Sequence, residues 1–260
     1  MDPVEWGKRG VSILGLLVIW FVVATVGPGT LPGPIAVAAA FATSVQDPVY
    51  WDAVIVSTLR VLGSFTVATL VAVPLGLLMG WGVVFRDFTF PAFELLRPIP
   101  PIAWIPFAIL VLPALSFSVL GFGIEVSTPV VFITFLGAFF PVLLNAIEGV
   151  RGIDGEYSRA AESLGAADWQ IFRHVIFPGA LPAVHRGMIV GMGLAWVNLV
   201  AGEMISGGGL GFMLWTAYTG GSYPVIFVGM ITIGVLGYLS STVVRYLGVS
   251  RLAWVEGSTA

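Results

Sequence analysis

Few side chains in this sequence could do chemistry. The 260 residues include two histidines, His174 and His185, and no cysteine. A transition-metal site needs several His, Cys or carboxylate ligands at close spacing, and neither histidine has such a neighbour. The glycine-rich segment 206–213 (SGGGLGFM) lacks the lysine of a phosphate-binding loop. We therefore predict no catalytic residue, no metal site and no nucleotide-binding motif, and we expect the glycine run to form a tight turn.

Two ionisable residues, Arg60 and Glu203, fall within or at the ends of strongly apolar segments. Ionisable side chains in such segments usually face the protein interior or a cavity, and they usually pair. We expect a structural ion pair between them.

The most polar stretch of the chain, RAAESLGAADWQIFRHVIFPGALP (159–182), predicts two short helices. Residues 156–164 are helix-permissive, and Gly165 is a natural helix stop with positive φ. Asp168 is expected to cap a second helix that Pro178 ends. On that helix Trp169, Phe172 and Val175 or Ile176 form one apolar stripe. Such a stripe packs on the protein's own helices, on the lipid interface or in a groove of a soluble partner.

The composition excludes an ordinary soluble protein. Hydrophobic residues make up 58% of the chain and charged residues only 10%, and the mean hydropathy is +1.00. Soluble domains carry roughly 25% charged residues, which cover their surface. The missing polar surface predicts an integral membrane protein, all-α and polytopic.

Each membrane crossing needs about 20 apolar residues. By this measure the sequence predicts about six membrane spans, which position Arg60, Glu203 and the polar stretch. The predicted spans are 11–27, 54–84, 98–115, 128–147, 187–205 and 224–247, and the whole chain, 1–260, is one transmembrane domain. A cleaved signal peptide is the alternative for the first segment. Between the first two spans we expect a short surface helix and a turn at Asp47–Pro48. Gly76 and Gly80 predict a small helix face that a neighbour approaches closely.

The third span is expected to be irregular, because RPIPPIAWIP (97–106) contains four prolines.

The distribution of Lys and Arg sets the orientation of the chain in the membrane. With both termini in the cytoplasm, ten of the eleven basic residues lie on the inner side, and Arg60 alone lies near the outer side. The polar stretch is then a cytoplasmic loop between spans four and five.

This loop resembles a known motif. Ala160, Ala161, Gly165, Val175 and Pro178 match the spacing of the EAA loop (E-A-A-x3-G-x9-I-x-L-P) of permease subunits in bacterial ATP-binding-cassette importers. Four longer segments are similar to the nitrate/sulfonate/taurine/bicarbonate branch of that family, and the resemblance covers residues 52–247: TLRVLGSFTVATLVAVPLGLLMG, LLRPIPPIAWIP, GAFFPVLLNAIEGV and LGAADWQIFRHVIFPGALP.

The resemblance implies a type I importer fold in the cell inner membrane, with a coupling loop at residues 154–178. It implies four kinds of partner: a second copy of the chain, two cytoplasmic ATPase subunits, an external substrate-binding protein and the lipid bilayer. ATP and Mg²⁺ would bind the ATPase subunits, and no cofactor or nucleic acid is expected on this chain. The residues assigned to ATPase coupling are Arg159, Ala160, Ala161, Gly165, Trp169, Phe172, Val175 and Pro178. Arg159 departs from the family's glutamate, which puts a glutamate-specific contact in doubt.

The implied function is a permease for a small anion such as nitrate, bicarbonate, a sulfonate or taurine. The same architecture could serve a thiamine-precursor-type heterocycle. A secondary transporter is the alternative class, although no internal repeat or set of intramembrane carboxylates is apparent. A membrane enzyme would need a clustered nucleophile or metal set. The alternative role for Arg60 is contact with a passing anion, and the substrate-pathway candidates are Arg60, Glu203, Trp104, Trp196, Asn198 and Ser206.

Overall fold

The computed structural model describes residues 3–26, 31–112 and 127–256, and all regular structure in these ranges is helical. The helices are, in chain order, α1 (Pro3–Val26), α2 (Pro34–Ser44), α3 (Pro48–Trp81), α4 (Val83–Leu96), a 3₁₀ turn (Pro101–Trp104), α5 (Ile105–Val111), α6 (Thr128–Arg151), α7 (Gly155–Ser163), α8 (Asp168–Ile171), a π-helical turn (Phe172–Ile176), α9 (Phe177–Ser206), α10 (Leu210–Thr219) and α11 (Tyr223–Glu256).

The helical core is built around α6, which packs between α3 and α9. Close approach of α3 to α6 depends on glycine, because a Cβ at Gly76 would lie 2.6 Å from the Cβ of Ala146. Gly80 meets Val150 in the same way one turn later. The predicted small face of the second span is therefore confirmed, and small residues let these helices pack tightly without a hydrophobic driving force from water.

Within the described ranges, four helical runs are long and apolar enough to cross a membrane, namely Pro48–Trp81, Thr128–Arg151, Asp168–Ser206 and Tyr223–Gly248. The bent pair α4–α5 counts as a fifth span. The first predicted span falls in α1, whose apolar part Leu14–Val26 is shorter than the other spans. Gly27 lies outside the described residues. The regular structure of the described residues is thus all helical and multi-pass, as predicted.

The third predicted span, 98–115, was expected to be irregular, and this is confirmed, but its predicted start at residue 98 is wrong. The membrane-length unit is α4 followed by the 3₁₀ turn and α5, and its two parts are bent by 89°. Prolines at the junction explain the break, since proline removes a backbone donor and clashes with the preceding turn. The end of the predicted span, residues 113–115, lies outside the described residues.

The start of α3 is set by Asp47, whose carboxylate accepts a hydrogen bond of 2.9 Å from the backbone N–H of Val49. Pro48 occupies the first helical position, where its missing N–H costs nothing. The predicted short helix and the turn at Asp47–Pro48 are confirmed, and the second span begins six residues earlier than predicted, at Pro48 rather than residue 54.

Candidate functional site

The predicted coupling loop, residues 154–178, contains the short helix α7 and the start of a second, longer helix, and the two meet at a glycine corner as predicted. Asp154 caps α7 by accepting a 2.9 Å hydrogen bond from the N–H of Glu156. Gly165 follows α7 with φ of +81°, the left-handed conformation that glycine adopts without a steric penalty. The N–H of Ala166 returns to the carbonyl of Ala161 at 3.1 Å, which closes the end of the helix.

The second helix of the loop does not end at Pro178. From Asp168 the chain stays helical through α8, the π-helical turn and α9, so 39 residues form one run to Ser206. Pro178 lies in the first turn of α9, directly after the π turn, where proline is tolerated. Asp168 is not the cap either. Ala167 occupies that position, and its N–H donates to the side-chain oxygen of Gln170 at 2.8 Å.

The buried side of this second helix contains three residues of the predicted stripe, Phe172, Val175 and Ile176, together with Ile171 in place of Trp169. Ile171 and Ile176 are buried in a cluster with Ala146, Val150 and other residues of the core, and Val175 packs partly against it. The five-residue spacing from Ile171 to Ile176 reflects the π turn, which the sequence pattern did not reveal.

Trp169 lies outside this buried side, and its side chain is 65% exposed. Its ring stacks on Phe172 at a centroid distance of 5.6 Å, and Phe172 in turn meets Trp81 at the end of α3 edge-on at 6.0 Å. The indole thus has one aromatic contact within the loop, while its outer face stays exposed to solvent. Leu164, at 89% exposed, and Tyr157 add apolar surface to the same loop.

A pocket of about 370 Å³ opens between the two helices of the loop, lined by Ala161, Leu164, Gly165, Ala166, Gln170, Ile171, His174 and Val175. Three of these residues are alanine or glycine, so little side-chain volume fills the pocket. The remaining motif residues, Arg159 and Ala160, are exposed on α7. Among the described residues, Arg159 forms no ion pair with Glu156 or Glu162.

Replacing Gly165 with valine is expected to deform the corner. No atom lies within 4 Å of a Cβ at this position, so the effect arises from backbone conformation alone, at a cost of about 1–3 kcal/mol. Amide hydrogen exchange in residues 155–176 should therefore accelerate in the valine variant. Asparagine, which tolerates positive φ, is the matched control and should exchange like wild type. Amide exchange in the valine variant at the wild-type rate would contradict the conformational role of Gly165.

The expected ion pair between Arg60 and Glu203 is present in the structure. The guanidinium Nη1 of Arg60 donates to Oε1 of Glu203 at 2.9 Å, and also to the carbonyl of Gly208 at 3.0 Å. Arg60 is 6% exposed and Glu203 is fully buried. The pair joins α3 to α9 near the end of α9 that is remote from the coupling loop.

Sequence analysis missed the other members of this site. Ser57 lies one helical turn before Arg60, and its hydroxyl lies within 2.9 Å of both oxygens of Glu203. The same hydroxyl accepts from the N–H of Leu210 at 2.8 Å, and Oε2 of Glu203 accepts from the N–H of Gly211 at 3.0 Å. We call Ser57, Arg60, Glu203 and these two amides the buried cluster. The three-residue spacing of Ser57 and Arg60 on one helix face was the available signal.

The glycine run forms the tight turn that was expected, but it leads into α10 before α11. Gly207 and Gly209 have φ of +80° and +92°. A Cβ at Gly209 would overlap the Glu203 carboxylate. Glycine is therefore required both by the backbone conformation and by the closeness of the buried acid.

The other pathway candidates have separate local partners. Trp196 is buried and donates from Nε1 to Ser240 at 2.9 Å. Trp104 makes edge-on contacts with two phenylalanines, and Asn198 donates to the carbonyl of Leu194 in its own helix. Ser206 lies beside the buried cluster, at the last position of α9. Whether these residues line a passage stays a prediction.

Neither histidine has metal-ligand neighbours in the described ranges. His174 contacts the carbonyl of Gln170 and His185 the carbonyl of Val244, each at 2.9 Å. No group of three His, Cys, Asp or Glu residues in these ranges could hold a metal ion.

Comparison with known proteins matches residues 72–251 to a family described as the binding-protein-dependent transport system inner membrane component. A putative ABC transporter permease of Methanocaldococcus jannaschii is 39% identical over 78% of this chain and 73% of its own length. The taurine transport system permease of Escherichia coli K12 is 33% identical, covering 92% and 86%. The nitrate import permease of Synechocystis is 29% identical, covering 92% and 87%.

Proposed function

The chain belongs to the family of binding-protein-dependent transport system inner membrane components, and from this we propose that it is the permease subunit of an ATP-driven importer of small anions. A member of this family is a multi-pass membrane transport subunit of the type I importer fold, and not an enzyme. The finer features proposed here are the ATPase docking site, the assembly and the substrate.

The observation that carries the docking proposal is the exposed indole of Trp169 on the predicted coupling loop. Trp169 is 65% exposed and stacks on Phe172, which itself contacts Trp81, so it presents an apolar surface whose orientation is favoured by an aromatic contact. Gly165, Ala161 and Ala166 keep a pocket open beside it. An ATPase subunit of such an importer offers the groove into which a helix of this kind fits.

In the proposed assembly two copies of this chain form the pathway, two ATPase subunits bind the coupling loops, and a binding protein delivers substrate from outside. ATP and Mg²⁺ bind the ATPase subunits. Both termini of this chain and the coupling loop lie in the cytoplasm, in agreement with the distribution of Lys and Arg. When ATP closes the ATPase subunits, each loop moves with its groove and shifts the spans from inward-facing to outward-facing.

The substrate class rests on the relatives. Those reported above include proteins named for nitrate and for taurine, and a permease of Synechococcus elongatus named for bicarbonate is 29% identical over 91% of this chain. Each of these molecules carries a small anionic oxygen-rich group. Selectivity among them is expected to reside mainly in the binding protein.

Reconstitution into proteoliposomes tests this proposal. Uptake of isotope-labelled nitrate, taurine or bicarbonate should require ATP, the ATPase subunit and the binding protein together. Liposomes containing this chain alone, with an imposed proton or sodium gradient, are the control and should take up none of the three. Gradient-driven uptake by the chain alone would support a secondary transporter and contradict the proposal.

A further inference from the structure

We infer that Ser57, Arg60 and Glu203 are positioning residues that transmit movement of the coupling loop to α10 at the opposite end of the molecule. The inference rests on the proposed coupling function, and it concerns how the motion travels within this chain.

The first step is the continuity between the coupling loop and the buried cluster. Residues 168–206 form one continuous helical run. At 1.5 Å per residue this run is about 60 Å long. Trp169 lies at its beginning and Glu203 in its last turn. A displacement at the beginning of this run therefore reaches Glu203 through one helical backbone, which includes the π-helical turn and Pro182.

The second step is that the Glu203 carboxylate forms hydrogen bonds beyond its ion pair with Arg60. A pair that only fastened α3 to α9 would need Arg60 alone. Here Oε2 also accepts from the N–H of Gly211, and Ser57 bridges the carboxylate to the N–H of Leu210. The first two amides of α10 are thereby satisfied by groups from α9 and α3, in the manner of a helix cap supplied from outside the helix.

The third step is that the segment between α9 and α10 is short and tightly packed. Only residues 207–209 separate α9 from α10. Two of these glycines are in the left-handed region, and Gly209 packs directly on the Glu203 carboxylate. α10 also packs against α9, α11 and α3. A movement of Glu203 is thus imposed on the start of α10, which in the proposed orientation lies on the outer side of the membrane.

The test compares two buried serines of α3 in the assembled transporter. Ser57→Ala removes the bridge to α10. Ser64→Ala is the matched control, because Ser64 is also buried and its hydroxyl has no hydrogen-bond partner in the described structure. The readouts are amide hydrogen exchange in residues 207–213 and the ratio of ATP hydrolysis with loaded binding protein to basal hydrolysis.

Ser57→Ala should accelerate exchange in residues 207–213 by about tenfold, the change expected when a buried amide loses its partner. It should also bring the stimulation ratio close to 1. Ser64→Ala should match wild type in both readouts. Ser57→Cys replaces the hydroxyl with a thiol, a group of similar size that forms weaker hydrogen bonds. Both readouts for this variant should lie between those of wild type and Ser57→Ala. The thiol would be the only one in the chain, which has no cysteine.

A Ser57→Ala variant that matches Ser64→Ala in both readouts would overturn the inference, and so would faster exchange with normal stimulation. If Ser57→Ala does not assemble, the comparison of Ser57→Cys with Ser64→Ala decides in the same way. Failure of the proposed function is distinguishable, because wild type itself would then show no binding-protein-stimulated hydrolysis.

Discussion

Replacing Arg60 with alanine is expected to destabilise the folded permease by about 3–5 kcal/mol, the range measured when one partner of a buried ion pair is removed. The Glu203 carboxylate has no exposed surface and would remain in place without its charge partner. Glu203→Ala should have a similar effect, since it leaves Arg60 buried and takes the acceptor from the N–H of Gly211. Thermal unfolding in detergent and the yield of folded protein measure both effects.

The double variant should lose less stability than the sum of the single losses, because removal of both charges eliminates the uncompensated group. Arg86→Ala is the matched control. Arg86, which is half-buried, and Asp87, which is exposed, form an ion pair of similar length, 3.0 Å, and solvent-accessible pairs contribute about 0–1 kcal/mol. Strictly additive losses would eliminate the pair as a stabilising contact. A stable Arg60→Ala protein that fails in uptake would instead support contact between Arg60 and the transported anion.

The parts of the fold that sequence analysis predicted well follow from local rules. Gly165 ends a helix because no other residue adopts its conformation as readily, and this rule needs no tertiary information. Gly76 and Gly80 predicted a close helix contact for the same kind of reason. Arg60 and Glu203 were paired on the argument that charges at similar depth in apolar spans need partners.

The errors arise where neighbouring helices override local rules. Pro178 was expected to end a helix, yet the π turn before it and packing of Ile171 and Ile176 on the core carry the helix through. The third span was placed too late, because periodicity does not reveal that α4 and α5 form one bent unit. Ser57 was missed since its role depends on the amide of Leu210, 153 residues away in the chain. The spacing of Ser57 and Arg60 indicates that they share one helix face, but it does not reveal a partner so distant in the chain.

Replacing Trp169 with aspartate is expected to release the ATPase subunit from the permease. The indole is exposed and held in position by Phe172, so it is available to fill an apolar groove, and a carboxylate in that groove would lose its hydration without gaining a partner. We expect the amount of bound ATPase to fall by about tenfold or more, equivalent to about 1.4 kcal/mol of binding free energy. The fold of the permease should be retained, because the side chain makes little contact with the core.

The most direct test of the proposed coupling is co-purification of the ATPase subunit with wild type, Trp169→Asp and Ala167→Asp. The Ala167→Asp control adds the same charge two residues away, at an exposed helix cap where aspartate is favourable. The coupling account predicts that wild type and Ala167→Asp retain the ATPase and that Trp169→Asp loses it while remaining folded. Retention of the ATPase by Trp169→Asp at the wild-type level would contradict docking through this loop.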